Sequence, residues 1–223
     1  MAEPTALSLC SLPSDIYDFL SDFLDDDSLF VLLTLSRHIT VASYLLQRRM
    51  WRQKSIEYWA GEGDLKAVKY LYGIRRSAAA AAIDPSNFMT AINWASTIGD
   101  LAMVKYLHTV IGTKCINYAM DTASAHGHLD LVKYLHSIGT RGTTYAMDGA
   151  SETGQLAVLQ FLHSIGATCT ADAMSCASRN GHLAVVQYLH GIGAPCTKRA
   201  LTLARKNGHV DVVGFLKLIF DLV

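Results

Sequence analysis

Apolar residues in the larger part of the chain return in one fixed order. In GHLDLVKYLHSIG, residues 127–139, Leu129, Val132, Tyr134 and Leu135 gather on one side at helical spacing, with polar residues between. Ile138 follows, and Gly139 is placed to stop the helix by taking a positive φ. The pattern returns as GQLAVLQFLHSIG from Gly154 and GHLAVVQYLHGIG from Gly181, and in looser form from Gly63, Gly99 and Gly208. The leading glycines, at 63, 99, 127, 154, 181 and 208, are spaced 36, 28, 27, 27 and 27 residues apart. A period in this range predicts a solenoid of stacked units.

A second pattern precedes each of the last four leading glycines. It reads Ala-Met-x-x-Ala at Ala119–Ala123, Ala146–Ala150 and Ala173–Ala177, and Ala-Leu-x-x-Ala at Ala200–Ala204. Alanines four apart share a helix face and let a neighbouring helix approach. Met120, Met147, Met174 and Leu201 are placed to fill the gap. Each unit is therefore a pair of helices of about nine or ten residues, too short to be stable alone in water. Stacking must hold them. RRSAAAAAIDPSNF, from Arg75 to Phe88, breaks the period and predicts a longer helix or a surface loop. Asp84-Pro85-Ser86-Asn87 suits the start of the helix after it.

Residues 1–50 do not follow the repeat. Ile16, Phe19, Leu20, Phe23 and Leu24 make one amphipathic helical face, with Pro13 near its start. The acidic run Asp25–Asp27 interrupts it, and Leu29, Leu32, Leu33 and Leu35 make a second face.

Hydrophobic residues are 51% of the chain, which argues against general disorder. Net charge is zero, which argues against a strongly electrostatic nucleic-acid binder. The balance is uneven: residues 1–50 hold seven acids and three bases, so residues 51–223 hold the remaining twelve acids and sixteen bases. The N-terminus lacks the basic region of a secretory signal, and no apolar run reaches the ~18 residues of a membrane span. The expectation is an intracellular protein, cytoplasmic or nuclear, monomeric apart from its partners. Cys115, Cys169 and Cys196 hold one repeat position. Stacked helices put such positions roughly 10 Å apart, beyond the ~7 Å of a disulfide, so free thiols are expected.

Histidine is the conspicuous chemical candidate. His108, His136, His163 and His190 share one repeat position, and His128, His182 and His209 another. Zinc ligands stand about 2 Å from the ion, so rungs roughly 10 Å apart cannot share one. Tyr72 and Lys217 replace the first set in other copies. The first set reads as cover for the helix end, and the second as closing the interhelical turn or bonding neighbouring backbone. No nucleophile elbow, phosphate loop, dinucleotide loop or Cys-x-x-Cys occurs. No enzyme activity, cofactor or metal is expected.

Two resemblances emerge. The order Ala-rich helix, Gly-His-Leu-acid-x-Val-Lys-x-Leu, then Gly resembles the ankyrin repeat over roughly residues 55–220, as a short-period variant. The family's Thr-Pro-Leu-His opening is absent, with Tyr145-Ala146-Met147-Asp148 in that place. Thr140–Thr144 is too short for the family's β-hairpin finger. The N-terminal segment resembles an F-box through Leu12, Pro13, Asp15, Ile16, Phe19, Leu20, Phe23, Leu24, Ser28, Leu29, Leu32, Leu35, Ser36 and Arg37, with Trp51 as a candidate closing tryptophan. The YLHSIG endings resemble in style the ankyrin proteins of giant DNA viruses of amoebae, which would place the protein in a host cell.

The resemblances imply an all-α protein. A three-helix F-box-like segment, residues 1–50, would precede an ankyrin-like solenoid of about six repeats without full hairpin fingers, residues 51–223. They imply a substrate receptor of a Skp–cullin–F-box ubiquitin ligase. Leu12, Pro13, Ile16, Leu20, Phe23, Leu24, Leu29 and Leu32 would hold a Skp-family adaptor, and the concave repeat face a protein target. The alternative is a stand-alone ankyrin scaffold whose first fifty residues only cap the stack. Target-reading residues are expected where the copies differ: Tyr118, Asp121, Tyr145, Asp148, Glu152, Asp172, Arg179, Arg199 and Lys206. Read along the stack, these shift from acidic to basic, a gradient that would orient a partner. The apolar C-terminus is expected to fold back through Phe220 and Leu222, the alternative being contact with another chain.

Overall fold

A computed structural model describes residues 47–78, 88–114 and 117–221. These residues are helical with short links, and no strand occurs among them. They fall into two compact units, one holding 47–59 and 66–78, the other 60–65 and 88–221 apart from residues 115 and 116.

In the first unit, residues 47–52 are helical and bury Trp51. The indole N–H of Trp59 donates to the Trp51 carbonyl at 2.9 Å, and the Trp51 ring lies 5.4 Å from that of Tyr70. Helices α1 (Ile56–Gly61) and α2 (Leu65–Ala78) follow in sequence. At 14 residues α2 outruns the second helices of the later repeats, so the period break begins as a longer helix. The capping expectation for Asp84–Asn87 lies outside the described residues, as do the F-box positions Leu12 to Leu32.

In the second unit the repeats are two-layered. The first helices are α3 (Met89–Ile98), α5 (Asn117–Ala125), α7 (Thr144–Glu152), α9 (Ala171–Arg179) and α11 (Lys198–Lys206). The second helices are α4 (Leu101–Tyr106), α6 (Leu129–Ser137), α8 (Leu156–Ser164), α10 (Leu183–Gly191) and α12 (Val210–Asp221). Each layer packs on its own kind in neighbouring repeats.

The core follows the repeated letters. The alanine pairs and Met120, Met147 and Met174 are fully or almost fully buried between first helices, as are Val132, Val158/Leu159 and Val185/Val186 between second helices. Leu201, on α11, is half-exposed. Every leading glycine takes a positive φ, from 74° to 81°, and Gly112, Gly139, Gly166 and Gly193 take 72° to 84° at the ends of second helices. The left-handed conformation costs a residue with a Cβ about 1–2 kcal/mol.

One repeat carries an extra residue, the cause of the 28-residue spacing. It is absorbed at Leu107–Ile111 as a π-helical turn continuing α4, which keeps Leu107 and Ile111 buried and leaves Val110 exposed. Gly112 still closes the turn at φ 82°. A single-residue insertion inside a helix is commonly accommodated this way. α12 is helical through Asp221. Leu218 is exposed and Phe220 half-exposed, and Leu222 lies outside the described residues.

Candidate interaction face

The side chains that repeat are consumed between repeats. His128, His182 and His209 each reach back one repeat. Their Nε2–H groups donate to the carbonyls of Thr97 (2.9 Å), Glu152 (3.1 Å) and Arg179 (2.9 Å). A carbonyl only accepts, which assigns the proton to Nε2. Each ring also lies against the leading glycine of the repeat before it. A Cβ on Gly154 would stand 2.8 Å from Nδ1 of His182, and one on Gly181 2.5 Å from Nδ1 of His209. Glycine is thus required twice at these positions, for its φ and for its missing side chain. Where Gln155 replaces histidine, the Thr153 hydroxyl donates instead, 2.7 Å from the equivalent carbonyl of Ala125.

The other histidine set also crosses the seam. His108, His136, His163 and His190 meet Tyr134, Phe161, Tyr188 and Phe215 of the next repeat edge-on, with ring centroids 5.8–6.4 Å apart. These contacts between aromatic rings are worth about 0.5–1.5 kcal/mol each. His126 and His128 stack at 6.2 Å, and each has one ring nitrogen on a backbone carbonyl.

Asp121 and Asp148, expected on the target face, belong to the same seam. Thr143 donates to Asp121 through its N–H and its hydroxyl, both at 2.8 Å, and Thr170 does so to Asp148 at 2.9 and 2.8 Å. The same threonine oxygens cap the next first helix by accepting from the N–H of Tyr145 and of Asp172. Asp121 is only 5% exposed, so a partner cannot reach it. Its carboxylate is a structural bridge from one repeat to the next helix start.

The remaining expected residues do lie on the exposed side of the first helices. Tyr118, Tyr145, Asp172 and Arg199 hold one repeat position and are all exposed. One or two turns on stand Trp94, Thr122, Gly149, Cys176 and Leu203, then Glu152, Arg179 and Lys206. The gradient from acidic to basic is partly cancelled across rungs. Arg179 pairs with Glu152, and Arg199 with Asp172 at 3.0 Å. Both pairs are too exposed to add much stability. Trp94 and Ile98 were missed by comparing the later copies, because α3 precedes the regular spacing. Their signal is the exposure itself, 53% and 44%.

Cys169, Cys176 and Cys196 are free thiols. Burial pushes all three up from the ordinary thiol value; at Cys169 the Asp148 carboxylate adds to it. They are poor nucleophiles at neutral pH. Two open clefts, about 300 and 360 Å³, lie one repeat apart at the loop edge, under Met120 and His136 and under Met147 and His163. Among the described residues no group of three or more metal-ligating side chains gathers, and no helix is long and apolar enough to cross a membrane.

No family model matches the chain, and no curated protein matches it. Among solved structures, the crystal structure of the human ASB11 ankyrin repeat domain is similar, with a TM-score of 0.59 over 74% of this chain and 82% of that one. The fold is that of an ankyrin repeat domain. Sequence identity over the match is 17%, so the likeness is one of architecture. The short link Thr140–Thr143 replaces the hairpin finger, and the loop-edge clefts lie beside it.

Proposed function

We propose that the protein is a non-enzymatic interaction module. Its first-helix face, within residues 51–223, binds a protein target, and residues 1–50 act as an F-box that holds a Skp-family adaptor of a cullin-RING ubiquitin ligase. The observation that carries the target half is the division of labour among first-helix positions. Those the copies share are buried in the seam, while Tyr118, Tyr145, Asp172 and Arg199 are exposed at one equivalent position and differ from rung to rung. A rigid scaffold with variable exposed residues suits recognition, and Tyr and Arg are favoured in binding hot spots. The ankyrin fold supports the reading. The adaptor half rests on the Leu12–Arg37 pattern. Ubiquitin transfer would then need only proximity from this chain, with neither nucleic acid nor cofactor involved.

Affinity purification of the full chain with mass spectrometry tests both halves. A Skp-family adaptor and at least one stoichiometric target are expected. The double substitution Leu20→Asp, Phe23→Asp should remove the adaptor and leave the target. Adaptor recovery unchanged by that substitution overturns the F-box assignment.

A further inference from the structure

The first-helix face changes character along the stack. α3 and α5 expose no charged side chain, since Asp121 is buried. Their exposed large side chains are Trp94, Ile98 and Tyr118, alongside the neutral Thr90 and Asn117, and α7 adds Tyr145 next to the Tyr118 rung at 62% exposure. The floor between is low. Thr122 and Gly149 hold the repeat position of Trp94, and a Cβ on Gly149 would come within 2.9 Å of the Ala125 Cβ. The Tyr118 and Tyr145 rings therefore stand beside a low floor at Gly149, where a flat side chain can lie.

The far end is cationic. α11 carries Lys198, Arg199, Arg205 and Lys206 in nine residues and no acid. Asp172 engages Arg199. Among the described residues no acid pairs with Lys198, Arg205 or Lys206, and all three are exposed. Opposite charge on a partner is what such a surface favours.

Resting on the interaction-module reading, we propose the chemistry of the target: a linear peptide segment with an aromatic or long aliphatic anchor at one end and acidic residues at the other. The anchor lies against Tyr118 and Tyr145 over Gly149. The acidic residues meet Lys198 and Lys206. From the Tyr145 rung to the α11 rung is two repeats, roughly 20 Å at one helix diameter each. An extended chain at ~3.3 Å per residue covers that in about six residues, which sets the spacing between anchor and acids. Cys176 stands midway, on the rung between the two ends.

The test is a display selection of random 16-residue peptides against the full chain. Enriched peptides should carry two or more Asp or Glu about six residues from an aromatic or long aliphatic residue. A selected peptide should lose at least tenfold in affinity on Tyr118→Ala with Tyr145→Ala, and on Lys198→Glu with Lys206→Glu. It should also slow iodoacetamide labelling of Cys176, read per site by mass spectrometry, with Cys169 unchanged as the internal reference. Enrichment without acidic bias, or binding indifferent to both double variants, overturns this chemistry and leaves the module reading standing. A single-stranded oligonucleotide that displaces the peptide with greater affinity identifies a nucleic-acid face and also overturns it. The module reading itself falls separately, if selection and affinity purification both return no binder.

Discussion

The seam between repeats and the exposed face of the first helices are built from the same short helices, yet they use the repeat in opposite ways. At the seam, each copy spends its recurring residues on the copy before or after it: a leading glycine under an imidazole, an imidazole on a carbonyl, an alanine pair under a methionine. On the face, the equivalent position passes through Tyr118, Tyr145, Asp172 and Arg199 with no common chemistry. Recurrence therefore marks what neighbouring copies require of one another, and variation marks what the stack leaves free. Substitutions at the seam should cost stability, and substitutions on the face should not.

The sharpest contrast lies between two glycines of one repeat. Gly181 has φ 76°, and its missing Cβ is filled by the His209 ring. Alanine there adds about 1–2 kcal/mol of backbone strain and forces the ring off the Arg179 carbonyl. Gly181→Ala should lose about 2–4 kcal/mol, a fall of roughly 5–10 °C in Tm. Gly191 ends α10 without a positive φ, and a methyl placed there would meet nothing within 4 Å. Gly191→Ala should leave Tm unchanged or raise it, since alanine gains up to about 1 kcal/mol of helix propensity over glycine. Equal losses from both, followed by circular dichroism, would break the comparison.

Next comes Asp121, the face residue that turned out to belong to the seam. Asp121→Ala removes the acceptor of two hydrogen bonds from Thr143 and with it the support of the α7 cap. Hydrogen bonds to a charged group contribute about 1.5–3 kcal/mol, so a loss of roughly 2–3 kcal/mol is expected in urea unfolding. Asp121→Asn keeps an acceptor for the Thr143 N–H and should lose about half as much. A neutral Asp121→Ala would return this residue to the target face.

Much of this architecture is legible in the sequence, and the exceptions have a common cause. The period, the helix pairs, the glycine stops, the alanine–methionine packing and the missing hairpin all follow from residues close together in the chain. Asp121 and Asp148 misled because their position varies, to Ser175 and Thr202 in later copies. Their role depends on a second residue 22 positions away, Thr143 or Thr170, so it belongs to two repeats jointly. The gradient of charge misled in the same way. Read along the chain it orders acids before bases; across rungs, Glu152 meets Arg179 and Asp172 meets Arg199. The extra residue in the second complete repeat is visible as a spacing of 28, but only the backbone shows that it sits as a π turn at Leu107–Ile111.

The two histidine sets sharpen the comparison further, because both are seam residues of different kinds. His209→Ala removes the side-chain donor to the Arg179 carbonyl and the ring that covers Gly181. The expected loss is about 1–3 kcal/mol, the cost of an unsatisfied acceptor in a partly buried site. His190→Ala removes only the edge contact with Phe215, centroids 5.8 Å apart, for about 0.5–1.5 kcal/mol. If His190→Ala proves the more damaging in matched thermal melts, edge-on ring contact rather than carbonyl capture is what locks adjacent repeats.

The smallest expected effect is the one that separates seam from face. Tyr118 and Tyr145 are exposed by 58% and 62%, and they cap nothing and fill no gap between helices. Tyr118→Ala with Tyr145→Ala should shift stability by less than about 0.5 kcal/mol, as surface substitutions away from special features do. Alanine even has the higher helix propensity at both positions. Two large rings held at the surface at no gain to the fold need another reason to be there, and binding supplies it. A loss above roughly 1 kcal/mol in the double variant would assign the rings to the stack, and the first-helix face would then have to be argued from Trp94, Asp172 and the α11 cations alone.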